Sequence, residues 1–139
     1  MLTDEAHNFN WLLTSFVEET AGVTDAMAVS SDGLLIARSD TEGGRRAEQL
    51  CAIIAGSSSL AGAANMAMAG GGVDRVIVAM SRGFLFVSAI ADGSCLGVVA
   101  TRECDVGSVG FQTTDLVGRA GQLLTPALRE ELKKSAAGG

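Results

Sequence analysis

The sequence predicts one α/β sandwich: a five-stranded antiparallel sheet between helices, in the order helix, strand, strand, helix, three strands, helix. Three observations carry this. Residues 73–101 hold three consecutive strand-like runs, VDRVIVAMS, FLFVSAIA and SCLGVVAT, joined by Ser81-Arg82-Gly83 and Asp92-Gly93. Gly-containing links of this kind supply the positive φ of a tight hairpin, and neither is long enough for a parallel crossover, which takes about a dozen residues. Both faces of these runs are apolar: Val76, Val78 and Met80 alternate with Ile77 and Ala79, and Phe84, Phe86, Ser88 and Ile90 with Leu85, Val87, Ala89 and Ala91. A half-wet antiparallel sheet would alternate apolar with polar, so helices are expected on both sides. Finally, 139 residues is the size at which a single core is usual. The domain is expected over 1–134, with 135–139 as a flexible tail.

The elements follow in order. Residues 3–20 read as an amphipathic helix with Thr3 or Asp4 as N-cap and acids in its first turn. Leu2, Ala6, Phe9, Leu13, Phe16 and Val17 form its apolar stripe. Trp11, the only tryptophan, falls on the opposite side with His7, Thr14, Ser15 and Glu18. Two readings of Trp11 are open: packing under the C-terminal helix or tail, or anchoring a partner, since Trp is enriched at binding hot spots. After Gly22 the run VTDAMAVSSDGLLIARSD reads as a hairpin turning at Ser31-Asp32-Gly33. Past the meander, Asp105 caps a helix with the stripe Val106, Val109, Thr113, Leu116, Val117, Ala120 and Leu124. Thr125-Pro126 restarts a short helix carrying Leu128 and Leu132.

The longest helix is expected from Glu42 to about Ala69, and it is unusual: Gln49 to Val73 contains no charged residue. Its length would suit a bilayer span, but three consecutive serines (57–59), Asn65 and five glycines make it a poor insertion candidate. On a helical wheel Leu50, Ile53, Ile54, Leu60, Ala61, Ala64 and Met68 form a broad face expected to cover the sheet. Cys51, Ala55, Gly56, Ser59, Gly62, Ala63 and Met66 lie opposite. A helix with water on its outer side shows charges there. Small residues spaced by four, Ala55, Ser59, Ala63 and Ala67, permit close helix approach. Such a self-complementary patch points to a two-fold homodimer, the alternative being cover by another part of the same chain. Arg45 and Arg46 stand at the rim of the patch, either as a solvated first turn or as a steering pair for an acidic partner. Gly70-Gly71-Gly72 lacks the GK[ST] ending of a phosphate loop and follows a helix instead of preceding one, so it reads as a helix stop.

Composition excludes several functions. Up to Ala37 there are six acids and no Lys or Arg, and the net charge is −6. Nucleic-acid binding rests on clustered Lys and Arg, so it is not expected. Cysteines at 51, 95 and 104 form no CxxC pair, and one histidine leaves no metal-ligand set. A catalytic residue, a cofactor and a metal are accordingly not expected. The acidic N-terminus does not resemble a secretory signal, and a reducing cytoplasm is the simplest location. A cysteine enzyme using Cys95 or Cys104 is disfavoured because His7 sits on a distant helix face.

This element order, with Asn10-Trp11-Leu12-Leu13, Phe16-Val17, Val29-Ser30-Ser31-Asp32-Gly33-Leu34, Arg82-Gly83-Phe84-Leu85-Phe86-Val87, Asp92-Gly93-Ser94-Cys95-Leu96 and Leu124-Thr125-Pro126-Ala127-Leu128-Arg129, resembles the roadblock/dynein light chain domain family. The likeness is to its short actinobacterial members from conservon-type operons, spans nearly the whole chain, and implies a profilin-like sandwich. The small, Gly- and Ser-rich helix 42–69 departs from the family pattern. The resemblance implies a homodimer in which the middle helices pair and the strand starting at Val73 meets its twin. It further implies a non-enzymatic cytoplasmic regulator or scaffold of a Ras-like small GTPase, recruited to the membrane by partners such as a sensor-kinase-like protein of the same operon. An arginine finger from Arg82, Arg45 or Arg46 is the enzymatic variant of this reading. A small-molecule sensor or general signalling adaptor is the alternative. The expected interface residues are Ala55, Ser59, Gly62, Ala63, Met66, Arg45 and Arg46, with Trp11 as a further contact.

Overall fold

The computed structural model describes residues 3–39 and 45–138, with the side chains of Arg45, Ala137 and Gly138 outside that description. Leu2, the predicted start of the long helix at Glu42, and Gly139 therefore lie outside the described residues. Helix α1 (Asp4–Glu19) begins at Thr3, whose side chain accepts a hydrogen bond from the Ala6 N–H at 3.2 Å. That cap satisfies one of the helix's unpaired N–H groups, and Asp4 and Glu5 in the first turn complement the helix dipole. Ala6, Phe9, Leu12, Leu13 and Phe16 are buried, while Val17 is half-buried at the edge of the core.

Strands β1 (Val23–Val29) and β2 (Leu35–Arg38) form the predicted hairpin. Strands β3 (Val76–Met80), β4 (Gly83–Ala89) and β5 (Cys95–Thr101) form the meander. The five make one antiparallel sheet in the order β2-β1-β5-β4-β3. The β1–β2 and β4–β5 turns share one design. The Ser30 N–H donates to the Leu34 carbonyl and the Gly33 N–H to that of Ser30; the Ile90 N–H likewise donates to the Ser94 carbonyl and the Gly93 N–H to that of Ile90. Gly33 and Gly93 sit at φ 85° and 94°, as a three-residue loop with a left-handed third position requires.

The β3–β4 link differs from its prediction. Gly83 has no positive φ; it pairs with Met80 across a two-residue turn. Its smallness serves another purpose, because a Cβ there would stand 2.8 Å from the Ala100 carbonyl oxygen on the neighbouring strand.

Helices cover both sheet faces, as the doubly apolar strands require. Helix α1, helix α3 (Val106–Leu123) and helix α4 (Pro126–Gly138) lie on one side, where Phe9, Leu13, Phe86, Leu96, Leu116 and Leu132 form the larger core. Each such side chain contributes about 1.5–3 kcal/mol on full burial. Asp105 caps α3 by accepting from the Ser108 N–H at 3.0 Å. Residues 135–138, expected as tail, continue the α4 helix. Helix α2 (Arg45–Met68) covers the other face over Met27, Val29, Leu85, Val87 and Cys95.

The α2 docking face differs from the wheel. Ala47, Cys51 and Ile54 are the buried residues, with Leu50 and Ala55 packed beside them. Cys51, expected on the outer side, is therefore inside. Ile53, Leu60 and Met68, expected on the sheet, are exposed. Length explains this. At 24 residues α2 is about 36 Å long, whereas the strands, of seven residues at most, run about 23 Å. Roughly the first three turns rest on the sheet and the remainder overhangs it.

Candidate partner interface

The overhanging half of α2 and the edge strand β3 together expose a large apolar surface. Leu60, Met66 and Met68 are 74%, 84% and 78% exposed. Ile53, Val73, Ile77, Val78 and Met80 are also exposed. Soluble monomers rarely leave contiguous apolar patches of this kind bare. β3 is one of the sheet's two edge strands, β2 being the other, and among the described strands it is the one whose side chains are mostly exposed on both faces. An open, apolar edge strand offers unpaired backbone N–H and C=O groups as a template for another chain.

The end of α2 is made by its own residues. Asn65 accepts the Gly70 N–H through its carbonyl at 3.0 Å and the Gly72 N–H through Oδ1 at 2.8 Å. Ala69 at φ 49° and Gly71 and Gly72 at φ 82° and 121° then reverse the chain toward β3. The glycine triplet is thus a helix stop, as expected.

Of the predicted interface residues, Ser59 and Ala63 are exposed, Gly62 is half-exposed on the overhang, and Met66 is almost bare. Ala55 is half-buried toward the sheet, near the β1–β2 turn at Gly33. Arg46 is exposed and lies 3.7 Å from the Asp25 carboxylate; the Arg45 side chain lies outside the described residues. Trp11 is 65% exposed, so it does not pack under α4. Sequence reasoning missed Ile53, Leu60 and Met68 as surface residues. The available signal was the absence of charge on every side of the helix past its first turn, which cannot be reconciled with a single docked face.

A polar depression of about 340 Å³ lies at the end of the sheet, between the two matching turns and α4. Its charges are largely satisfied internally. Arg129 donates to Asp92 at 2.5 Å, and Ser94 donates to the same carboxylate. Burial pushes the Asp92 carboxyl up, but its bonds from the Ser94 N–H and Arg129 outweigh this and hold it below the usual carboxylate range. Ser30 bonds to Asp32 and lowers that carboxyl too. Burial raises the thiols of Cys51 and Cys104, which keeps both protonated and poorly nucleophilic at neutral pH. Among the described residues, no group of three His, Cys, Asp or Glu side chains is placed to hold a metal.

A five-stranded antiparallel sheet with one long helix on one face and three helices on the other defines the profilin-like α/β class. The structure is similar to profilin II from Acanthamoeba castellanii at 16% identity, covering 79% of this chain and 94% of that one with a TM-score of 0.53. The chain belongs to the Roadblock/LC7 domain family, whose model matches residues 9–100. It is similar to the crystal structure of a Roadblock/LC7 domain from Streptomyces avermitilis, with 32% identity, 79% and 92% of the two chains covered, and a TM-score of 0.73. It shares its fold with gliding protein MglB from Thermus thermophilus, at 13% identity, 88% and 93% coverage and a TM-score of 0.77. No curated protein matches the chain.

Proposed function

We propose that this chain is a non-enzymatic homodimeric regulator or scaffold of a Ras-like small GTPase in a bacterial signalling complex, acting on hydrolysis or nucleotide exchange. The observation that carries the reading is the uncharged, exposed surface of α2 and β3, with Leu60, Met66 and Met68 more than 70% exposed. Burying an apolar surface of this size against a second copy stabilises at about 25 cal/mol per Å², and a self-complementary patch closes as a two-fold dimer. Support also comes from the family: the roadblock resemblance implies GTPase partners, and a structure of MglB with a tetrameric arrangement, 13% identical, shares the fold. Helix α2 is also long and apolar enough to cross a membrane. Its attachment to the sheet through Ala47, Cys51 and Ile54 favours a docked helix with a covered back. The family resemblance is what supports a cytoplasmic location in this reading, with membrane recruitment left to its partners.

Among the described residues the sensor reading draws on the polar depression, and its Asp32, Asp92, Glu130, Arg129 and Lys133 side chains already bond to neighbours within the chain. The test is to determine mass in solution, then to follow GTP hydrolysis and nucleotide release by the GTPase of the same operon with and without this protein. Dimer mass and a changed rate of either step are expected. A monomer at micromolar concentration removes the dimer, and a GTPase neither bound nor altered removes the regulator. Ser59→Lys and Ala63→Glu on the overhang are expected to yield monomers; dimers surviving both changes would remove the helix-pairing model.

A further inference from the structure

The outer surface of α1 and α3 carries two aromatic side chains that the core does not use. Trp11 on α1 and Phe111 on α3 are each 65% exposed, on the sides opposite the stripes that enter the core. The two helices pack side by side on the face of the sheet away from α2, sharing one core through Leu12, Phe16, Val109 and Leu116. They run antiparallel, because Gly22 just past α1 abuts Cys104 just before α3; a Cβ on the glycine would stand 2.6 Å from that of the cysteine. Measured from this shared end, Trp11 lies eight residues back from Glu19 and Phe111 five residues on from Val106, about 12 and 8 Å along their helices. The two rings therefore stand within one helical turn of the same height, on axes about 8–10 Å apart, and flank the seam between the helices.

Helix α3 also holds a glycine whose smallness serves no neighbour among the described residues. Gly110 leaves room for the Arg75 guanidinium, and a Cβ on Gly121 would touch Ile90 and Ala91 at 3.7 Å. Gly118 is exposed, and a Cβ there would meet no atom within 4 Å. Alanine at such a position would favour the helix more. Gly118 is seven residues from Phe111, two turns along the same side of α3, so the surface has a post and a dip in line. A dip of this kind admits a second backbone.

Charge decides which backbone fits. Helix α1 carries Asp4, Glu5, Glu18 and Glu19, all exposed, and no Lys or Arg. The two charges of α3, Asp115 and Arg119, pair at 3.5 Å and cancel. The surface is therefore acidic. A second copy would bring the same acidic face, and an anionic membrane or a nucleic acid the same sign. A seam between two helices with apolar anchors is the shape that takes an amphipathic helix, and the acids of α1 call for one whose polar side is basic.

We propose that the outer face of α1 and α3 is a docking site for a cationic amphipathic helix of a partner protein, anchored by Trp11 and Phe111 and brought close to the α3 backbone at Gly118. The site lies across the sheet from α2, so it stands whether or not the chain dimerises, and it gives the domain a second surface on which to hold a partner.

Trp11 is the only tryptophan, so its fluorescence reports this surface alone. The full chain is titrated with a synthetic amphipathic helical peptide of leucine and lysine, and in parallel with its leucine and glutamate counterpart. A saturable blue shift of the Trp11 emission is expected with the first peptide and none with the second, and added salt is expected to weaken the binding. Phe111→Ser and Gly118→Gln, each checked for folding by circular dichroism, are expected to raise the dissociation constant roughly tenfold or more. Gly118→Gln is expected to raise the thermal midpoint at the same time, which a purely structural glycine would not allow. No shift with the lysine peptide, or an equal shift with the glutamate peptide, overturns the proposal. Binding that both substitutions leave unchanged is adsorption by charge alone and overturns it as well. Binding weakened by Phe111→Ser but not by Gly118→Gln overturns the close approach at Gly118 and keeps the site. A blue shift that grows with protein concentration in the absence of peptide makes a second copy the occupant and overturns the cationic partner.

Discussion

Ile54 on α2 presses its side chain onto Gly97 of the central strand β5, so that a Cβ on Gly97 would stand 2.8 Å from Ile54 Cγ1 and nearer still to Cδ1. The glycine lets the helix descend onto the sheet, and Ile54 is fully buried there. This contact sets both the height and the rotation of α2, and so decides which of its faces is left for a partner.

Gly97→Ala is expected to destabilise the fold by about 1–3 kcal/mol through overpacking. Denaturant unfolding measures it. Pairing it with Ile54→Val should recover part of the loss, because the shortened side chain withdraws from the added methyl. If the two costs simply add, the contact is not what limits α2.

Trp11→Ala is expected to change stability by less than about 0.5 kcal/mol, as for surface substitutions generally, because the ring is 65% exposed. Thermal unfolding at a fixed protein concentration checks this. Unchanged stability together with weakened binding to the GTPase would identify Trp11 as a partner anchor.

The Arg129–Asp92 pair ties α4 to the β4–β5 turn, and the Asp92 carboxyl is held below its usual value in the folded state. A depressed carboxylate contributes stability that is present above the unfolded value, near 3.8, and that is lost as pH falls through the lower folded value. Asp92→Asn is expected to cost about 1 kcal/mol at pH 7, allowing for partial solvent screening, and to flatten the stability profile below about pH 4. Chemical denaturation at pH 7, 4 and 3 tests both parts; an unchanged profile would show that the pair does not bear on α4.

Asp105→Ala removes the cap that accepts the Ser108 N–H at 3.0 Å and is expected to cost about 1 kcal/mol. Asp105→Asn should restore most of it, since Asn caps nearly as well. A thermal or denaturant midpoint for each variant separates capping from loss of charge.

Much of this architecture was legible from residue patterns alone. The capping residues Thr3 and Asp105, the Gly33 and Gly93 turns, the stripe of α3 and, apart from the buried Leu12, that of α1 over its described residues depend on neighbours within a few positions, so local spacing reports them. Gly83 shows where that logic stops. Its sequence context resembles a turn glycine, but its smallness answers to Ala100 on another strand, a neighbour that no local pattern contains.

The sequence by itself determined that this protein has a doubly covered antiparallel sheet and a long helix without charge on any side beyond its first turn, because alternation and charge are properties of the chain. Only the tertiary structure decided which side of that helix faces inward. Beyond the first turn both of its sides are uncharged, so hydrophobic contrast is too weak to orient it. The choice fell to shape, through Ile54 seating on Gly97, and to length, since the sheet ends before the helix does. Those two facts turned Cys51 inward and left Leu60, Met66 and Met68 exposed on the same side of the sheet as the open edge of β3.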